Sequence, residues 1–191
     1  MLRSDQPVSQ QYAAAALHNL AAGSLQHKDA IVAAGAFAPL VGLLRSDKSA
    51  VQGSAAKALF CLTATSQQNR EAIIAAGAVP PLVAILRSDQ PMAQQYAAGA
   101  LYNLAADSQH RDTIVAAGAV PPLVALLRSD QPSVVGRAAG ALCSVAAGSQ
   151  QSRDAVVAAG AMPLLDGRLR SSDPAVQAKA AGALRCLNGR I

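Results

Sequence analysis

One short phrase, LRSD, returns along this chain at nearly constant intervals. Successive copies are 42, 42, 41 and 42 residues apart, and the last copy is written LRSSD. The phrase AAGA returns in the same phase and places a glycine at Gly35, Gly77, Gly118 and Gly160. Periods of about 40–47 residues are typical of stacked units of two or three helices. The repeat therefore predicts an array of such units.

Each unit is expected to contain three helices, because helix-breaking residues divide it. A short first helix begins near Gln68–Ala78, with an acidic residue in its opening turn that opposes the helix dipole. The repeated glycine ends this helix, since glycine adopts a left-handed backbone without steric cost. A second helix has proline in its first turn, as in Val79–Asp89, and a longer third helix follows another proline. The acidic positions are Asp29, Glu71, Asp112 and Asp154, and the prolines of third helices are Pro7, Pro91, Pro132 and Pro174.

Composition favours helices and excludes several other classes of protein. Apolar residues make up 52% of the chain and aromatic residues only 3%, so alanine and leucine, both strong helix formers, dominate the core. The apolar runs are shorter than the ~20 residues of a membrane span, and residues 1–20 lack the pattern of a secretory signal. Three cysteines without metal-type spacing suggest neither a disulfide framework nor a zinc site. We therefore expect no membrane insertion and a reduced intracellular setting, the cytoplasm or the nucleus.

The block AAGAVPPLVALLRSD (Ala116–Asp130) and the phrase AAGALYNLA, in their 42-residue phase, resemble armadillo repeats. This resemblance covers the whole chain. It implies an all-α fold, a right-handed superhelical α-solenoid of three-helix repeats whose third helices line a long concave groove. Residues 1–191 would form a single array, in which 1–24 is the third helix of a partial repeat and 25–66, 67–107, 108–149 and 150–191 are full repeats. The near-identity of the repeats is compatible with recent duplication or with a consensus-like design.

The two ends of the array are expected to differ. In the last second helix, Asp166 and Arg168 replace apolar residues of the earlier repeats, which is typical of the polar face of a capping repeat. At the other end Val8, Leu17 and Leu20 would lack part of their cover. We therefore expect an artificial or swapped start at Met1 and an N-terminal flank through which the chain could form homo-oligomers.

The formal net charge of +5 does not come from the repeated positions. Nine basic and nine acidic residues cancel there, and their local pairs are expected to add little beyond solubility. The excess of positive charge includes four basic residues on predicted third helices. These side chains either make the groove positive or are solvated at the ends or back of the helices. A positive groove would favour acidic or phosphorylated protein segments. Nucleic acid is disfavoured as a partner, because the chain has no long basic stripe and no aromatic platform. The four bases are Lys57, Arg137, Lys179 and Arg185.

On a third helix, residues four apart share a face, which reads Gln11, Ala15, Asn19 on the first of them and Gln95, Gly99, Asn103 on the third. In armadillo proteins of the importin-alpha type this face has tryptophan in the middle and asparagine last, and the asparagines bind the backbone of an extended peptide. Only Asn19 and Asn103 match here, and the chain has no tryptophan, so binding of a basic nuclear-localisation signal is not expected. With mostly small residues at the middle position of this face, the chain more closely resembles the armadillo arrays of plant-type ubiquitin ligases, vacuolar-inheritance proteins and beta-catenin-like adaptors. The predicted peptide-binding residues are Gln11, Asn19, Lys57, Gln95, Asn103, Arg137, Ser144 and Lys179.

Two alternatives remain at this face. The asparagines could tie adjacent third helices together instead of facing a ligand. The aromatic rings could form side-chain pockets or simply pack between repeats, which is their commoner role. These rings are Tyr12, Phe60, Tyr96 and Tyr102.

Catalysis is not expected, and neither is a metal or cofactor site. Equivalent cysteines in different repeats are expected to be too far apart for a bridge, and His27 and His110 to lie on a solvent-facing edge. His18 and Cys61, on neighbouring third helices, are the one pairing of interest, and no orienting acid repeats beside them. The sequence thus predicts a non-enzymatic scaffold that binds extended acidic peptide segments. The alternative is a structural module that self-assembles through exposed repeat ends.

Overall fold

A computed structural model describes residues 2, 4 and 6–189, without the side chains of Leu25 and Asp29. Over these residues the regular structure is helical throughout, and the helices fall into three classes. The first helices of the repeats are α2 (Leu25–Ala33), α5 (Gln67–Ala75), α8 (Ser108–Ala116) and α11 (Gln150–Ala158). The second helices are α3 (Phe37–Leu43), α6 (Val79–Ile85), α9 (Val120–Leu126) and α12 (Ala161–Arg168). The third helices are α1 (Pro7–Ala21), α4 (Ser49–Thr63), α7 (Pro91–Leu104), α10 (Pro132–Ala146) and α13 (Pro174–Leu187).

The third helices pack on one another in chain order, from α1 through α4, α7 and α10 to α13. Leu59, Leu101 and Leu142 of these helices are fully buried, and so are Leu82 and Leu123 of the second helices. Each repeat therefore buries its apolar face against its neighbours, as stacked repeats must. The predicted all-α solenoid is confirmed. Among the described helices, none is both long and apolar enough to cross a membrane.

Glycine ends each first helix, as predicted. Gly35, Gly77, Gly118 and Gly160 have φ between 65° and 81°, a left-handed conformation that is strained for residues with a side chain. Proline occupies the first turn of α6 and α9 and of four third helices, where its missing N–H needs no partner. These glycines and prolines therefore set the helix boundaries close to where they were predicted.

The predicted acidic residue in the opening turn of the first helices is wrong. Glu71 and Asp154 are the fifth residues of α5 and α11, one turn inside the helix. The helix begins earlier because a serine caps it: the side chains of Ser66 and Ser149 accept hydrogen bonds from backbone N–H groups of the first turn. Glu71 instead accepts a hydrogen bond from Gln67 at 2.8 Å, one turn before it.

The arginines of the first helices α8 and α11 bind the ends of third helices. Arg111 donates to the carbonyl of Ala105, at the end of α7, at 2.9 Å and to that of Ala147, at the end of α10, at 2.8 Å. Arg153 likewise donates to the carbonyl of Ala146 at 3.3 Å. A cation is favourable at a helix C-terminus, where carbonyl groups lack partners within the helix. These repeated charges therefore bridge helices, beyond the role in solubility that the sequence suggested.

The two flanks differ in polarity. On α1, the side chains of Val8 and Leu20 are 62% and 46% exposed, and Leu17 borders an apolar depression with Leu2 and Pro39. At the other flank Asp166 is exposed, while Arg168 donates to the carbonyls of Leu127 and Ser129 at 2.7 and 3.0 Å. The division into repeats and the capping role of the last one stay predictions. Met1, which was expected to be an artificial or swapped start, lies outside the described residues.

Candidate functional site

The third helices form a continuous surface with two depressions. The first, of about 420 Å³, lies between α1, α4 and α7 and is lined by Gln11, Asn19 and Lys57, among others. The second, of about 470 Å³, lies between α7, α10 and α13 and is lined by Gln95, Arg137, Lys179 and their neighbours. We call them the N-terminal and the C-terminal depression. Six of the eight predicted peptide-binding residues therefore line one or the other.

Asn103 and Ser144 do not border either depression. The side-chain amide of Asn103 donates to the carbonyl of Phe60 at 3.3 Å and to the hydroxyl of Thr63 at 3.1 Å, both at the end of α4. The amide therefore joins two adjacent third helices, which is one of the alternatives that the sequence left open. Ser144 is half-buried on α10. A ligand-binding role for either residue stays a prediction.

Three of the four bases on third helices lie near an aromatic ring of another third helix, and we call these three the groove cations. The ammonium of Lys57 is 5.6 Å from the ring centre of Tyr96, and that of Lys179 is 5.1 Å from the ring centre of Tyr102. The guanidinium of Arg137 is 4.5 Å from the ring centre of Phe60. Such cation–π contacts hold a charged group at a defined place on the surface.

The rings also contact one another. The centres of Phe60 and Tyr96 are 5.9 Å apart with a tilt of 39°, within the range that favours aromatic pairs. With Lys57 on one side and Arg137 on the other, they form a row from the border of the N-terminal depression to that of the C-terminal one. The rings were expected either to form pockets or to pack between repeats, and their pairing with cations was not predicted.

His18 and Cys61 meet at the N-terminal end of the groove. The Sγ atom of Cys61 lies 3.3 Å from Nδ1 of His18. Burial raises the pKa of the Cys61 thiol, even though Lys28, Lys57 and Arg137 act in the opposite direction. Burial and the charge of Lys57 lower the pKa of His18. Both shifts favour the neutral thiol and imidazole over the thiolate–imidazolium pair that an activated nucleophile requires.

The expectation that no cysteines would be bridged is wrong. Cys143 on α10 and Cys186 on α13 form a disulfide, with their Cα atoms 5.5 Å apart. The axes of packed helices are roughly 8–10 Å apart, but this is not the distance between residues on their facing sides. Because each Cα lies about 2.3 Å from its own axis, residues that face each other are several ångströms closer than the axes.

His27 and His110 were both predicted to face solvent, and this is correct only for His27. His27 is exposed, but His110 is buried, with 8% of its surface accessible, next to Gln109 and Asp107. The third residue is buried in the last three first helices, as Asn69, His110 and Ser152 show. Within the described part of the chain, no three His, Cys, Asp or Glu side chains cluster as metal ligands would.

This fold defines a class of protein, the α-solenoids of three-helix repeats, with side chains of the third helices along an open groove. The family model of the Armadillo/beta-catenin-like repeat matches residues 24–63, 66–106 and 107–147, more than half of the chain. The chain belongs to the armadillo repeat family. None of the curated proteins compared with it matches.

Several solved structures with the same fold are engineered or designed proteins. An engineered protein superposes with a TM-score of 0.94 at 36% identity, over 98% of this chain and 78% of its own. A computationally designed armadillo repeat protein for modular peptide recognition gives 0.90 at 31%, over 97% and 78%. The designed armadillo repeat protein YIII(Dq.V1)4CPAF, in complex with the peptide (KR)4, gives 0.89 at 28%, over 98% and 79%.

Proposed function

We propose that this chain is a non-enzymatic scaffold that binds extended acidic peptide segments along the groove of its third helices. The observation that carries the proposal is the position of Lys57, Arg137 and Lys179. All three lie at the borders of the two depressions and are held near aromatic rings. A pre-formed surface of this kind limits the ordering cost of binding to the ligand.

The charge of the C-terminal depression supports an acidic ligand. Its lining contains two cations, Arg137 and Lys179, and one carboxylate, Asp173. The Asp173 carboxylate accepts hydrogen bonds from the backbone N–H groups of Ala175 and Val176, and so caps the start of α13. Because the two cations outnumber this carboxylate, the depression offers net positive charge to a ligand.

Polar side chains supply contacts for a peptide backbone. Gln11 and Asn19 line the N-terminal depression and Gln95 lines the C-terminal one. An amide offers both a donor and an acceptor, so it can bind a passing backbone whatever the peptide's side chains are. The complex of the similar designed protein with (KR)4 supports peptide binding by this fold, and the cations of the present groove favour a peptide of opposite charge.

The test uses fluorescent peptides and charge reversal. We expect Glu-rich decapeptides, with or without phosphoserine, to bind more tightly than Lys-rich ones, and the affinity to fall with salt. The double variant Arg137→Glu, Lys179→Glu should lower affinity by tenfold or more, about 1.4 kcal/mol. The control Lys48→Glu reverses an exposed charge beside Asp47 and should leave the affinity within about twofold. A preference for basic peptides, or equal losses in both variants, would contradict the proposal.

A second function, self-assembly, rests on the N-terminal flank. Val8, Tyr12, Ala16 and Leu20 are four residues apart on α1 and are all exposed, with Tyr12 at 70%. Beside them, Leu2, Leu17 and Pro39 border an apolar depression of about 490 Å³. A second copy could cover this surface. Light scattering over a range of concentrations tests it: assembly that Leu20→Lys abolishes, without any peptide affinity, would favour this function over the first.

A further inference from the structure

The contact between Phe60 and Arg137 joins helices that are not neighbours. Phe60 lies on α4 and Arg137 on α10, with α7 between them, yet the guanidinium is 4.5 Å from the ring centre. The two side chains meet above Gly99 of α7. A Cβ atom at Gly99 would lie 2.8 and 2.9 Å from two ring carbons of Phe60 and 3.4 Å from Cδ of Arg137. The ring and the cation can therefore meet only because this residue has no side chain.

The same arrangement recurs one repeat later. Tyr102 lies on α7 and Lys179 on α13, with α10 between them, and the ammonium is 5.1 Å from the ring centre. The ring covers Gly140 of α10, where a Cβ atom would come within 3.3 Å of it. Ring, glycine and cation are displaced from the first set by 42, 41 and 42 residues, which is the repeat period. We call each set a cation platform: the first is Phe60, Gly99 and Arg137, and the second is Tyr102, Gly140 and Lys179.

We propose that the two platforms place Arg137 and Lys179 as a pair of fixed anion-binding points, so that the groove selects peptides with two anionic side chains a short distance apart. Phe60, Gly99, Tyr102 and Gly140 are positioning residues, which act through the cations. This inference rests on the proposed function and specifies the ligand. The ligand is an extended peptide with two carboxylate or phosphate groups.

A ring beneath a cation leaves its binding capacity available. The N–H donors of a guanidinium lie in its own plane, so a carboxylate can bind at the edge while an aromatic ring covers one face. A cation already held in place also loses less rotational freedom when the anion arrives. Both platform cations line the C-terminal depression, so both can contact one ligand.

The spacing of the ligand follows from the spacing of the helices. Arg137 and Lys179 lie on adjacent third helices, and packed helices are roughly 8–10 Å apart. An extended peptide advances about 3.3 Å per residue. Two anionic side chains should therefore be about two or three positions apart, whereas adjacent positions or a separation of about six should bind as a single charge does.

Gly182 provides a matched control. It takes on α13 the place that Gly99 takes on α7 and Gly140 on α10, but a Cβ atom there would meet nothing within 4 Å. Gly182→Ala and Gly99→Ala thus add the same methyl group at the same repeat position, and alanine is the better helix former at both. Only Gly99→Ala displaces a ring.

The first measurement is the proton NMR shift of the Arg137 side chain, which the ring current of Phe60 moves upfield. We expect this shift in the wild type and in Gly182→Ala, and its loss in Gly99→Ala. Phe60→Leu removes the ring without adding volume and tests the same point if Gly99→Ala folds poorly. An Arg137 shift that is insensitive to Phe60→Leu would overturn the positioning role without any peptide being present.

The second measurement is the affinity for glycine–serine decapeptides that carry one glutamate, two glutamates at varied separation, or two phosphoserines. We expect the wild type to prefer two anions two or three positions apart, and both Gly99→Ala and Phe60→Leu to weaken this binding about three- to fivefold, the range of an exposed cation–π contact. Gly182→Ala should match the wild type. Equal affinity for one and two anions would overturn the pairing of the platforms while the proposed function stands. Failure of every acidic peptide to bind the wild type would overturn both.

Discussion

Arg70 on the first helix α5 and Asp107, the residue before the next first helix, form an ion pair with two hydrogen bonds. Nε of Arg70 lies 2.5 Å from Oδ2 of Asp107, and Nη2 lies 3.0 Å from Oδ1. Only 17% and 15% of the two side chains are exposed, so this pair is less screened than a surface pair. The same Arg70 contacts the carbonyl of Thr63 at the end of α4. The pair therefore fixes α5 against the residue that precedes α8.

We expect Asp107→Asn to destabilise the fold by about 1–3 kcal/mol, the range of hydrogen bonds that involve charged groups. The substitution keeps the shape of the side chain but removes its charge. Asp112→Asn, on an exposed position of α8, is the matched control and should change stability by less than about 0.5 kcal/mol. Urea unfolding at neutral pH measures both, and equal effects would contradict a special role for Asp107.

The ion pair should also make stability depend on pH. The hydrogen bonds from Arg70 hold the pKa of Asp107 below its ordinary value, which is about 3.9 in an unfolded chain. The unfolded state then binds more protons than the folded state in mild acid, so the contribution is complete above the unfolded pKa and disappears as pH falls through the folded pKa. In urea titrations, the stability difference between wild type and Asp107→Asn should therefore shrink below about pH 4. A difference that is constant from pH 7 to pH 2 would contradict this assignment.

The disulfide between Cys143 and Cys186 should be detectable and stabilising. Under non-reducing conditions we expect one free thiol, that of Cys61, and a mass two hydrogens below that of the reduced chain. Because the bridge spans 43 residues, the chain-entropy model gives about 4 kcal/mol of stabilisation. Cys61→Ser, the control, should keep the bridge. Three free thiols after purification in air, or a melting temperature that reduction leaves unchanged, would contradict the prediction.

A side chain at the glycines between first and second helices should destabilise the protein. Gly118→Ala is expected to cost about 1–2 kcal/mol, the penalty for a left-handed backbone, because its φ is 74° and no neighbouring atom would contact the added methyl group. Gly42→Ala, inside α3 and equally open, should stabilise the protein by about 0.5–1 kcal/mol. Urea midpoints of the two variants should move in opposite directions. Movement in the same direction would show that conformation at Gly118 is not the limiting factor.

The thiol of Cys61 should react slowly. Burial raises its pKa, so the rate of alkylation by iodoacetamide should rise at higher pH in the folded protein than in the urea-unfolded chain, which carries the same thiol. This comparison also tests whether His18 activates the thiol. A profile displaced to lower pH in the folded protein would indicate a stabilised thiolate and would reopen the possibility of nucleophilic chemistry at this position.

The features that the sequence predicted lie within a single repeat. Gly77 and Pro91 act through their own backbone, so their effect on helix boundaries can be read without knowing the neighbouring repeats. The repeat period likewise predicted that Lys57 and Arg137 lie on third helices, and this also needs no knowledge of how repeats pack. Local rules of this kind predicted the helices, their order and six of the residues that line the two depressions.

The features that were missed join different repeats. The bridge between Cys143 and Cys186 depends on how closely two helices approach, and this distance is set by side-chain volumes at their interface. The burial of His110 depends in the same way on the neighbouring repeat. Phe60 and Arg137 meet only where an intervening glycine allows it. In-phase glycines between an aromatic residue and a base, 38–39 residues on either side, are the sequence signal that could have revealed the platforms.

The platforms have a consequence for exchanging repeats between arrays. Repeat proteins are commonly treated as one-dimensional chains in which each unit senses only its immediate neighbours. Here Phe60 and Arg137 interact across an intervening unit, so the chain contains second-neighbour coupling. If an exchanged repeat placed a larger residue at the position of Gly99, it would therefore move the charge of Arg137, which lies in the next repeat and was not exchanged. To keep such a contact intact, repeats of this array would have to be exchanged in groups of three.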